Sequence, residues 1–176
     1  MLTCYFPGES NAKRQLLCFG KASGARVWSV DFPIDYGEDR RQGFLTEHGY
    51  ASNTPASDGK NVYLFLGKGG VHSVDLHGNR NWSVDVGKES SNRQWGSAAS
   101  LPLDCKRVFV NASEESQAII ALDKATGAEF WRQEAGMLEL TYGTPRVVNR
   151  GGADPVLVIS VPGEIWALDA TIRKLQ

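Results

Sequence analysis

Ile119-Ile120-Ala121-Leu122-Asp123-Lys124-Ala125-Thr126-Gly127-Ala128-Glu129-Phe130-Trp131 decides how this chain is read. A short apolar strand ends in Ala121-Leu122-Asp123, a turn runs from Lys124 to Gly127, and an outgoing strand carries Trp131. An Asp that bonds the backbone two residues on, followed by a Thr-Gly that supplies a positive φ, makes a tight hairpin turn. The two strands therefore pair antiparallel.

The chain writes this hairpin several times. Leu17-Cys18-Phe19-Gly20 leads through Gly24 to Trp28, Val71-His72-Ser73-Val74-Asp75 leads through Gly78 to Trp82, and Glu164-Ile165-Trp166-Ala167-Leu168-Asp169-Ala170-Thr171 begins a fourth copy. The tryptophans at 28, 82 and 131 are 54 and 49 residues apart, and the aspartates at 75, 123 and 169 are 48 and 46 apart. A fixed period sets a whole architecture, and one near fifty leaves about thirty residues between hairpins, room for two more strands. Those strands are readable. Thr54-Pro55-Ala56-Ser57 precedes a turn at Asp58-Gly59-Lys60 and the run Asn61 to Leu66. Trp95 to Leu103 precedes a turn at Asp104-Cys105-Lys106 and the run Arg107 to Val110, and Thr144 to Val148 precedes Pro155 to Val161. The second strands are almost continuously apolar and β-branched, which means that both faces are covered. Each repeat is then a four-stranded antiparallel meander packed on both sides, and a radial array of such sheets is a β-propeller. Helix is not expected beyond single turns.

Ala121-x-Asp123-x-x-Thr126-Gly127-x-x-x-Trp131 resembles the tryptophan-docking motif of the pyrroloquinoline quinone (PQQ) type propeller repeat, seen in outer-membrane assembly lipoproteins and quinoprotein dehydrogenases. Ser57 to Tyr63, Trp95-Gly96-Ser97 and Tyr142-Gly143-Thr144-Pro145 are similar to that family's blade openings, so the resemblance covers almost the whole chain. It implies that Trp82 and Trp131 wedge between blades while Asp75, Asp123, Asp169 and Gly127 shape turns. The first copy has Gly20 where the Asp belongs, and the fourth has Ile172 and Arg173 where the turn Gly is expected.

One domain over 1–176 is expected, an all-β propeller arc with blades near 16–32 (half), 50–87, 95–136 and 142–176 (incomplete). Two strands in the first piece, four in each of the next two and three in the last amount to about three and a half blades, where closed propellers hold about four to eight. The reading is an arc of a larger propeller. Its end blades would expose apolar faces, which predicts self-association.

Composition bounds the partners. A net charge of −1 on 176 residues gives no electrostatic case for nucleic acid or an acidic membrane surface. The longest apolar runs fall far below the roughly 20 residues of a membrane-spanning helix. The N-terminal residues Met1 to Gly8 have no basic region followed by an apolar core, so no signal peptide is read, whereas the family resemblance implies a periplasmic or exported protein. Cys4, Cys18 and Cys105 have no metal-type spacing and are read as isolated thiols, with a Cys4–Cys18 disulfide as the alternative.

Chemistry is sparse in the pattern. His48, His72 and His77 lie in three unrelated contexts without ligand spacing, so neither a metal site nor a catalytic group is assigned. Glu114-Glu115 is read as a solvated pair. The stretch Asp31 to Glu47 is read as a solvated connection or a partner-binding loop. The candidates for ligand binding are positional: aromatics beside small residues at the channel mouth, namely Tyr50, Trp95 and Tyr142, with His48 just before the first. Their alternative role is to pack adjacent blades. Two functions follow. The first is a non-catalytic scaffold, without cofactor, that presents loops and channel to a protein or small ligand. The second is a fragment of a quinoprotein alcohol or sugar dehydrogenase, for which the resemblance implies PQQ with calcium. A protein partner or self-association is expected in the first case.

Overall fold

The computed structural model describes residues 1–6, 12–34 and 36–171, so the expectations placed on Pro7, Gly8, Asp35 and Ile172 to Gln176 lie outside the described residues. Four separate antiparallel sheets follow one another along the chain. The first holds β1 (Leu2–Phe6), β2 (Lys13–Phe19) and β3 (Arg26–Pro33). The second holds β4 (Ala56–Ser57), β5 (Asn61–Phe65), β6 (Val71–Asp75) and β7 (Arg80–Val84). The third holds β8 (Arg107–Ala112), β9 (Ala118–Asp123) and β10 (Glu129–Glu134), and the fourth β11 (Arg146–Val148), β12 (Val156–Val161) and β13 (Glu164–Asp169). Sequence neighbours pair within every sheet, so each is a meander. The fold is all-β, an arc of propeller blades. Among the described residues helix is confined to α1 (Leu45–His48), α2 (Ser113–Ser116) and 3-10 turns at Gly67–Gly69 and Gly136–Leu138.

The continuous apolarity of the second strands has a direct cause. Along β5, Val62 and Leu64 join Leu16 and Phe32 of the first sheet, while Tyr63 and Phe65 join Val108 and Val110 of the third. Along β8, Phe109 turns the other way, into a core with Leu157, Ile159 and Leu168 of the fourth sheet. A strand whose alternate side chains feed two different cores has no solvent face.

The hairpin motif joins one sheet to the next. Asp123 Oδ1 accepts from the N–H groups of Ala125 (3.0 Å) and Thr126 (2.8 Å) and from the Thr126 hydroxyl (2.9 Å). Asp75 accepts likewise from the N–H groups of His77 and Asn79, and Asp169 from the N–H and hydroxyl of Thr171. Each hairpin then carries a β-bulge at the residue before its tryptophan: Val27, Asn81 and Phe130 are skipped in the pairing. A bulge rotates the strand that follows, and here it turns the indole toward the next sheet. The Trp28, Trp82 and Trp131 N–H groups donate to the carbonyls of Leu76 (2.9 Å), Lys124 (3.0 Å) and Ala170 (3.1 Å), each in the turn of the following hairpin. Gly127, at φ 77°, lies flat under the previous sheet's Trp82, so that a Cβ there would sit 2.8 Å from the indole. Gly78 stands in the same relation to Trp28.

Four expectations are corrected. The first piece holds three strands because Leu2–Phe6 adds to Lys13–Phe19 through five paired residues. The segment Trp95 to Leu103 contributes no strand, only a bridge from Leu103 to Val108. Positive φ at Gln94 (52°) and Gly96 (72°) breaks the extended run, and its polar groups bond neighbouring blades instead. The stretch Asp31 to Glu47 is not simply solvated, since its first residues extend β3 and Leu45 is 1% exposed. All three cysteine thiols are free, so the Cys4–Cys18 alternative does not hold. Among the described residues no helix is long and apolar enough to cross a membrane.

Candidate functional site

Residues that lead into successive sheets lie side by side. The Thr3 hydroxyl donates to the Asn53 carbonyl (3.1 Å), and the Asn53 side-chain amide donates to the Ala99 carbonyl (2.7 Å). The Thr54 N–H donates to the Ser100 hydroxyl (3.0 Å), and the Ser100 N–H to the Thr144 hydroxyl (2.9 Å). Asn111 and Ser113 complete the row by donating to the Thr141 carbonyl at 2.8 and 2.7 Å. Thr54, Ser100 and Thr144 recur at 46 and 44 residues, nearly the repeat period, so the row has a signature in the sequence.

Below this row, one buried polar cluster joins several blades. Arg14 of β2 donates to the Leu66 carbonyl and pairs with Glu38 (2.5 Å), while Lys68 pairs with Asp39 (2.8 Å), which also accepts from the Ser90 hydroxyl (2.6 Å). Glu114 and Glu115 stand beside them on α2, only 3% and 2% exposed. The reading of this pair as solvated is therefore corrected: residues 87–97 fold across the helix and exclude water from both. Glu114 accepts from the Ser91 hydroxyl (2.7 Å), and the Glu115 carboxyl lies 2.6 and 2.8 Å from the Ser97 hydroxyl. With both cations engaged by Glu38 and Asp39, the two glutamates have mainly hydroxyl partners. Burial, opposed by Ser97 and reinforced by the Glu114 charge, pushes the Glu115 carboxyl up to about 7. Burial raises Glu114 as well.

The four candidate binding residues separate into two pairs. His48 ends α1 exposed, its Nδ1 2.8 Å from the Gly49 carbonyl and 2.9 Å from the Ser52 hydroxyl. Tyr50 stacks on Tyr5 at 4.7 Å and donates its hydroxyl to the Asp39 carbonyl (2.6 Å). His48 and Tyr50 share the wall of an open cleft of about 500 Å³ with Tyr5 and Arg41. Trp95 and Tyr142 stack on each other at 5.6 Å. Phe44 meets Trp95 edge-on at 4.5 Å, and the Arg93 guanidinium covers its ring at 4.8 Å. Phe44 is 48% exposed, Arg93 is exposed, and Trp95 and Tyr142 are half-buried. Burial, with the Glu114 charge beside it, pushes the Tyr142 phenol up to about 12. Trp95 and Tyr142, expected from the sequence at one end of successive blades, lie together, and Phe44 and Arg93, which the sequence did not single out, reach them from segments without repeat character.

The buried carboxylate cluster does not fit a quinone held with calcium. Arg14, Lys68, Ser91 and Ser97 already bond the carboxylates, and the enclosed space among them is about 20 Å³, the room of one water molecule. No group of three or more His, Cys, Asp or Glu among the described residues is arranged to hold a metal ion.

Comparison with known proteins agrees with the architecture. The family described as outer membrane protein assembly factor BamB matches residues 9–175. The crystal structure of BamB from Moraxella catarrhalis is similar at 20% identity and TM-score 0.61, over 94% of this chain and 48% of that one. A quinohemoprotein alcohol dehydrogenase from Comamonas testosteroni is similar at 25% identity and TM-score 0.52, over 70% of this chain and 20% of that one. A europium-containing methanol dehydrogenase is similar at 12% identity and TM-score 0.60, over 98% of this chain and 40% of that one. The chain thus spans about half the length of the BamB structure. No curated protein matches it by sequence.

Proposed function

The chain belongs to the family of the outer membrane protein assembly factor BamB, and from that premise we propose that it is a non-catalytic propeller module that docks a protein partner, in outer membrane protein assembly, in an exported compartment. The observation that carries this reading is the Phe44–Trp95–Tyr142 stack with Arg93 over it. Trp, Tyr and Arg are the side chains that anchor protein interfaces, because they combine a large apolar area with a polar end. Three separate segments supply this cluster, and the buried ion pairs beneath it hold two of them in place. Polar groups bound to one another support a platform; they leave little chemistry for a substrate. The cleft beside His48 and Tyr50 offers the same end of the arc a second contact area.

A photo-crosslinking amino acid at Phe44, in cells of the source organism, tests the reading. A discrete adduct with one envelope protein is expected, and Trp95→Ala, which removes the centre of the stack, should abolish it. Adducts that are absent at Phe44, or unchanged by Trp95→Ala, would overturn it.

A further inference from the structure

We propose that Glu114 and Glu115 form a proton-sensitive latch that holds residues 87–97, with the aromatic surface they carry, closed at acidic pH and loosens them as the pH rises. This is a property of the fold, and it stands whether or not the aromatic surface docks a partner. The segment meets these two consecutive residues at Gly87, Glu89, Ser91 and Ser97, and is held besides by the Ser90 hydroxyl on Asp39 (2.6 Å) and the Asn92 N–H on Glu139 (3.2 Å). Gly87, at φ 120°, brings its backbone so close to the Glu115 carbonyl that a Cβ would lie 2.1 Å from the oxygen. The Glu89 N–H donates to the same carbonyl (3.1 Å). Farther on, Ser91 bonds the Glu114 carboxylate through its hydroxyl (2.7 Å) and its N–H (3.4 Å), and Ser97 bonds the Glu115 carboxyl (2.6 Å). Between these anchors the chain carries Arg93 and Trp95.

Charge makes the anchor sensitive. The groups facing the pair are Arg14 from β2, Glu38 and Asp39 from the stretch after β3, Lys68 from the 3-10 turn, Glu89 on the segment itself, and the Tyr50 and Tyr142 hydroxyls. Arg14 and Lys68 are paired with Glu38 and Asp39, so among the described residues neither glutamate has an ion pair, and the Arg14 charge offsets the burial of Glu115 only in part. One proton relieves this. A protonated Glu115 donates to the Ser97 hydroxyl, keeping the contact without a second buried charge beside Glu114. Its release to solvent leaves two adjacent carboxylates in a space of about 20 Å³.

The sign follows from linkage. The Glu115 carboxyl titrates near 7 in the closed state against a usual value of 4.5. The closed state therefore binds the extra proton, and its advantage is fully present below 4.5 and is lost as the pH rises through about 7.

Hydrogen exchange of the full chain, read by mass spectrometry from about pH 5 to pH 8 and corrected for intrinsic amide rates, tests the latch. Protection over 87–97 should fall by about tenfold or more across that range, while amides of β8 keep theirs. Glu115→Gln, which keeps the shape and cannot ionise, should stay protected at every pH. Ser97→Ala, which strips a donor from the ionised carboxylate, should move the midpoint upward, and it carries the test if the Gln variant fails to fold. Protection that is flat in the unaltered chain, that falls equally in Glu115→Gln, or that keeps its midpoint in Ser97→Ala would overturn the proposal.

Discussion

At the scale of single residues, the repeat motif is explained by contacts to the next blade. Trp131 is 7% exposed, packs with Phe109 and Leu157, and donates to the Ala170 carbonyl (3.1 Å). Trp131→Ala should cost about 3–5 kcal/mol in urea unfolding, as large core truncations do. The glycines separate two causes. Gly24 and Gly127 hold matching turn positions at φ 67° and 77°, yet nothing lies within 4 Å of a Cβ at Gly24, whereas Trp82 lies 2.8 Å from one at Gly127. Gly24→Ala should carry only the backbone penalty, about 1 kcal/mol, and Gly127→Ala at least twice that. Equal losses would show that the turn alone, without the indole, selects glycine. The Asp, Gly and Trp positions were legible because turn chemistry is local. The closeness of Trp82 to Gly127 was not, since it joins residues 45 apart on different sheets.

At the scale of elements, the inner strands were legible and the devices between them were not. Continuous apolarity marked β5, β8 and β12; β5 and β8 each feed two cores, while β12 feeds one through Leu157, Ile159 and Val161. The bulges at Val27, Asn81 and Phe130 leave no residue signature, and these exposed positions look like ordinary strand residues. Helix α2 is a single turn, too short for periodicity to reveal, so Glu114 and Glu115 read as solvent-facing until residues 87–97 closed over them. Arg107 makes an element-level test. It is 7% exposed, pairs with Asp104 (3.0 Å) in the turn before the third sheet and donates to the Ala170 carbonyl just past the fourth. Arg107→Ala should cost about 3 kcal/mol, the scale of breaking a buried pair on one side. Hydrogen exchange should show the loosening in β12 and β13 and leave β5 and β6 protected. Uniform loosening of all sheets would mean that Arg107 does not serve that one junction.

At the scale of the whole molecule, the arc leaves two sheet faces uncovered in this chain. Leu2, Phe6 and Phe19 are 52%, 43% and 41% exposed on the outer face of the first sheet, and Ile165 and Val148 are 76% and 38% exposed on that of the fourth. The chain should self-associate in light scattering as concentration rises, and Ile165→Lys should weaken this; a strictly monomeric chain would contradict it. Global stability should also follow pH in two opposite slopes. Hydrogen bonds hold the Asp75 and Asp123 carboxyls below their usual value of 3.8, so their contribution is present above that pH and lost as the pH falls further. Glu115 acts the other way between 4.5 and about 7. Over most of that range it is opposed by His72, whose ring burial holds down at about 4 against 6.5, so that its contribution is present above 6.5 and lost as the pH falls. Glu115→Gln should therefore make the melting midpoint rise more steeply from pH 4.5 to 7 than it does in the unaltered chain. The central claim is that the Phe44–Trp95–Tyr142 surface is part of a docking platform and that the buried cluster beneath it is not a quinone site. Titration of the chain with pyrroloquinoline quinone and calcium, following thermal midpoint and alcohol-dependent dye reduction together, tests it most directly. The account predicts an unchanged midpoint and no dye reduction, and a saturable rise in midpoint with dye reduced by alcohol would contradict it.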